Sequence, residues 1–91
     1  MVHILKSKLS YKKQRRNIHG DPEKQYQKGL LALQNGQFPL AIIWFKRAAE
    51  QRHAPSHLQL AQCYLAGTGV KKDQKLAQEH FNKASELDLS N

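Results

Sequence analysis

With a single cysteine, Cys63, the chain cannot close an intrachain disulfide, which excludes a disulfide-stapled scaffold. Three prolines and five glycines are too few for a collagenous or Pro/Gly-rich low-complexity chain. No apolar run approaches the ~18 residues that a membrane span needs. The N terminus also lacks a long apolar stretch ending in a small-residue cleavage site, so a secretory leader is not expected. Length sets a further bound. At 91 residues the chain is one small domain, against the usual ~100–200 residues per domain. A core of that size buries only about two-thirds of the unfolded surface, leaving little room for a catalytic pocket.

Acidic residues are absent from the first 20 positions, which carry Lys6, Lys8, Lys12, Lys13, Arg15 and Arg16. Residues 21–91 hold nine basic and seven acidic residues. A basic arm, residues 1–20, therefore precedes a nearly balanced domain, residues 21–91. The arm's apolar residues Val2, Ile4, Leu5, Leu9 and Tyr11 fit neither a helical nor a strand period, so it is expected to be disordered or ordered by a partner. Mitochondrial presequences are also basic and acid-free, but they need a clean amphipathic face, which is missing. Cytoplasm is the expected location.

What is present reads as four helices. Asp21-Pro22-Glu23 supplies an N-cap acceptor, a proline where no amide hydrogen is needed and an acid facing the positive dipole end. Tyr26, Leu30 and Leu33 recur at helical spacing, and Asn35-Gly36 stops that helix. Phe38-Pro39 opens a second helix running to about Gln51, with Ala41, Trp44, Phe45 and Ala48 as its expected core stripe. Ala54-Pro55-Ser56 restarts the chain, and Leu58, Ala61 and Leu65 share a face, with Tyr64 beside them. Residues 67–70 form a loop, and Asp73 caps a last helix carrying Ala77, Phe81 and Ala84. No strand pattern competes, so the fold class is all-α.

The helices are two copies of one unit. A shift of 36 superposes Leu40, Ala41, Phe45, Ala48 and Glu50 on Leu76, Ala77, Phe81, Ala84 and Glu86. A shift of 32 superposes Tyr26, Gly29 and Leu33 on Leu58, Ala61 and Leu65. The difference of four residues is the extra length of the 67–70 loop. Two antiparallel helix pairs stacked as a short α/α solenoid are predicted.

Leu60, Ala61, Tyr64, Gly67, Gly69, Val70 and Asp73 resemble the first half of a Sel1-like repeat. Ala41, Trp44, Phe45, Ala48 and Ala49 resemble its second half. The first unit, with Gly29, Gly36, Phe38, Ala41, Phe45 and Ala48, is equally similar to a tetratricopeptide repeat. The pattern is worn where Lys28, Ala32, His80 and Ser85 replace the family's leucine, tyrosine, tryptophan and second alanine. In physical terms Gly67 and Gly69 are expected at positive φ and Val70 as an apolar plug. No strand precedes the Gly-Thr-Gly, so it reads as a turn and not as a phosphate cradle.

The resemblance implies a non-catalytic protein-interaction adaptor, frequent in bacteria, whose first helices line a concave surface. That places Tyr26, Leu30, Leu33, Gln34, Leu58, Gln62 and Leu65 as candidate partner-binding residues. The basic positions of the chaperone-tail-binding tetratricopeptide type hold Tyr26 and Leu30, so an acidic peptide carboxylate is not the expected ligand. Opposite the core stripe, Ile43 points outward and Ile42 lies on the flank, a candidate back face for a partner, a second copy or the Ile4-Leu5 segment. Two repeats are fewer than the three or so that solenoids usually need, which favours an added contact.

The polar residues suggest no chemistry beyond contact. His53 and His57 are split by Pro55, and no CxxC or HExxH motif joins them to Cys63, so no metal or other cofactor is expected. Cys63 reads as a small buried hydrophobe and His80 as a half-buried histidine. No nucleophile and base are paired, so the chain is not expected to be an enzyme. The six cations of the arm are the candidate polyanion contact, and an accessory nucleic-acid or ribonucleoprotein role is the alternative function. Tyr11 alone interleaves with them, too little for stacking readout of single strands.

Overall fold

The computed structural model describes residues 20–89. The expectations for the basic arm, including the Ile4-Leu5 segment, fall outside that range. Helices α1 (Pro22–Gln34), α2 (Phe38–Glu50), α3 (Ala54–Ala66) and α4 (Gln74–Leu89) make two antiparallel pairs, and each helix packs on the next. Among the described residues there is no strand. The short all-α solenoid predicted from the internal repeat is what the chain forms.

Each boundary has a local cause. The Asp21 carboxylate accepts the Glu23 amide at 2.9 Å, ahead of Pro22. At the other end of α1, Gly36 takes φ +76°, the Gln37 amide donates to the Ala32 carbonyl and the Gly36 amide to that of Leu33. This pair of bonds satisfies carbonyls that the helix end would otherwise orphan. Gly67 closes α3 at φ +74°, with the Thr68 amide on the Cys63 carbonyl at 2.9 Å. The loop then turns back, donating the Asp73 amide to the Tyr64 carbonyl at 2.9 Å. The Asp73 side chain caps α4 by accepting the Leu76 amide at 3.0 Å.

Packing centres on Phe45, which has no exposed surface. Its ring lies so close to Gly29 that a Cβ there would stand 2.5 Å from it. Around it gather Ala32, Ala41, Ile42 and Ala49 of the first pair and Leu60 and Cys63 of α3. Leu60 and Cys63 thereby join the second repeat to the first. Val70 packs on the same cluster as the apolar plug expected of it.

The observed core departs from the expected one in two places. Trp44 is half-buried at the surface, with the Lys28 ammonium 4.7 Å and the Arg47 guanidinium 5.1 Å from its ring. Ile42, expected on an accessible flank, is 5 % exposed and belongs to the core. The centre of the α2 stripe is therefore rotated from Trp44 toward Ile42, because α2 packs on α3 as well as on α1. In α1 the buried residues are Gln25, Gly29 and Ala32, while Tyr26, Leu30 and Leu33 lie half-buried against the cluster.

Candidate protein-interaction surfaces

The candidate concave residues separate into two groups. Tyr26, Leu30 and Leu33 lean into the seam between the repeats, where the Tyr26 ring lies 6.0 Å from Phe45 and 5.0 Å from His53. Leu58 and Leu65 are instead 41 % and 40 % exposed. They line two depressions on the α3–α4 side, both walled by Phe81. Gln34 and Gln62 are exposed amides on α1 and α3. Of the candidate back face, Ile43 is on the surface, in company with Phe38 and Leu40. Lys6, Lys8, Lys12, Lys13, Arg15 and Arg16 lie outside the described residues.

One histidine, His53, ties the two repeats together at their junction. His53 precedes α3 and sits 13 % exposed at its side chain. Its Nε2 lies 2.9 Å from Glu23 Oε1 and its Nδ1 2.8 Å from the Ser56 hydroxyl. With Nε2–H donated to the carboxylate, Nδ1 accepts the hydroxyl proton, which satisfies the fully buried Ser56. Glu23 is held below its ordinary value by hydrogen bonds from Gln27 and His53. Beside this, Gln51 donates to Gln25 at 2.9 Å, tying the end of α2 to α1.

A histidine pair spans α3 and α4. His57 Nδ1 and His80 Nδ1 are 2.9 Å apart, and the His80 ring stacks on Tyr64 at 5.7 Å and 5°. One nitrogen donates and the other accepts, so at least one of the two rings must be neutral on its facing side. Burial pushes both below the ordinary histidine value, and for His57 the neighbouring His80 adds to the effect.

Among the described residues, no three His, Cys, Asp or Glu side chains gather as metal ligands. Cys63 is buried, which raises its thiol and keeps it protonated. No helix among them is long and apolar enough to cross a membrane. What this surface offers is contact: aliphatic and aromatic side chains beside amides and scattered charges.

Sequence reasoning missed the joining of Leu58 and Leu65 to Phe81, although the 36-residue shift already paired Phe81 with the core residue Phe45. Comparison with curated proteins and with solved structures gave no match. The family model for the Sel1 repeat matches residues 25–53 and 54–89. Its division falls at the start of α3, where the second helix pair begins. Sel1 repeats are generally protein–protein interaction modules. The two matched units cover both helix pairs, and the chain belongs to the Sel1 repeat family.

Proposed function

We propose that the chain is a non-catalytic adaptor, a small accessory subunit that holds a protein partner on its helical surfaces. The observation that carries this reading is the pair of Sel1 repeats spanning residues 25–89. The aliphatic side chains left on the helix faces support it: Ile43 on α2, and Leu58 and Leu65 on α3, with Gln34 and Gln62 as hydrogen-bonding neighbours. The basic arm adds electrostatic attachment to a polyanion, through Lys6, Lys8, Lys12, Lys13, Arg15 and Arg16.

Affinity capture with the intact chain, an arm-deleted chain and the variants Ile43→Asp and Leu65→Glu tests this. A protein partner should survive moderate salt and loss of residues 1–20, and should be lost with at least one substitution. The charge of the arm favours a second reading, nucleic-acid attachment. In that case log affinity falls against log salt with a slope near −4 to −5 for ~4–6 phosphates, and arm deletion abolishes binding. Recovery of nucleic acid alone, with neither substitution having an effect, would overturn the adaptor reading.

A further inference from the structure

The two repeats bury equivalent faces to different depths. The 36-residue shift carries Phe45 onto Phe81, and the 32-residue shift carries Tyr26 and Leu33 onto Leu58 and Leu65. In the first repeat this face is covered, because α3 lays Leu60 and Cys63 on it and leaves Phe45 wholly buried. In the second repeat Phe81 remains half-open, and Leu58 and Leu65 are exposed. The two depressions that share Phe81 form one groove along the α3–α4 seam, with Asp88 in one and Lys75 in the other. Thirteen residue steps of α4 separate that pair, about 20 Å at the helical rise. Helix α3, which fills the equivalent position on the first repeat, is itself 13 residues long.

We propose that this groove seats an amphipathic α-helix of a partner protein, running parallel to α3 and presenting the same seam that α3 presents through Ser56, Leu60 and Cys63. The inference rests on the adaptor reading and names the site and the partner's chemistry. A helix in that direction brings its N terminus to Asp88 and its C terminus to Lys75. Its dipole then meets an opposite charge at each end. A second copy stacked head to tail does not fit. Where α3 offers Ser56, Leu60 and Cys63, the first helix of another copy would offer Lys24, Lys28 and Leu31. Burying two ammonium groups on Phe81 costs more than the apolar contact returns.

The test titrates isotope-labelled full chain with a synthetic peptide copying residues 53–67, read by amide chemical shifts. The shifts should cluster around Leu58, Leu65 and Phe81. Leu65→Glu in the chain should weaken binding at least tenfold at unchanged melting temperature, and so should Leu60→Asp in the peptide. Absence of binding, shifts confined to α1 and α2, or indifference to Leu65→Glu would overturn the proposal. A dimer in sedimentation that Leu65→Glu dissociates would give the groove to a second copy and also overturn it. Partner capture lost with Ile43→Asp but kept with Leu65→Glu would refute this groove and leave the adaptor reading standing, whereas capture of no protein at all would remove that reading first.

Discussion

Phe45 and Trp44 are neighbours in sequence with opposite roles. Phe45 has no exposed surface, so Phe45→Ala should cost about 3–5 kcal/mol. Trp44 is half-buried under two cations, and Trp44→Ala should cost only about 1–2 kcal/mol. Chemical denaturation of the two variants checks the order. Periodicity could not separate them, because adjacent residues differ by about 100° and both fit a wide apolar stripe. Gly29 sharpens the point. In an open helix Gly→Ala stabilises by about 1 kcal/mol. Here the new methyl would stand 2.5 Å from the Phe45 ring, which has nowhere to go. Overpacking costs about 1–3 kcal/mol, so Gly29→Ala should lower the melting temperature despite its better propensity.

At the scale of the element, helix ends were the most legible feature, since proline, glycine and aspartate act through their own backbone and side-chain chemistry. Asp21, Gly36, Gly67 and Asp73 all cap as expected. The end of α2 was not readable in the same way. Arg52 holds φ +64°, a left-handed conformation that glycine adopts at the ends of α1 and α3. A side chain there costs roughly 1 kcal/mol or more. Glycine would relieve that strain but would enlarge the unfolded ensemble, an opposing effect of about 0.4–1 kcal/mol. Arg52→Gly should therefore stabilise by about 0.5 kcal/mol, raising the melting temperature by roughly 2–4 °C in a domain this size.

At the scale of the whole molecule, the internal repeat made the architecture legible and left the binding faces undetermined. Tyr26 and Leu58 occupy equivalent positions, yet one is half-buried in the repeat seam and the other lies open. The difference depends on whether another helix stacks above, which no local pattern records. Ile42 was misplaced for the same reason: part of its cover comes from the second repeat, where the Gly69 loop lies against it, far along the chain. The second repeat also has a pH response. His57 and His80 lie below the ordinary 6.5 in the folded chain, with Lys46 and Lys83 opposing a further charge and Glu79 favouring it. The unfolded chain then binds more protons, so stability is full above about pH 6.5 and falls as pH drops toward the folded values. Melting temperatures measured between pH 8 and 5 should show this decline, and His80→Phe, which keeps a ring against Tyr64, should flatten it. Finally, the backbone of Gly69 passes so close to the start of α2 that a Cβ would lie 2.6 Å from the Phe38 carbonyl oxygen. Repeat arrays unfold as neighbours coupled through their interfaces, and here part of that coupling is main chain against main chain. The two units should therefore melt in one cooperative step. Gly69→Ala should uncouple them, so that in native-state hydrogen exchange the amides of α4 open at lower free energy than those of α2.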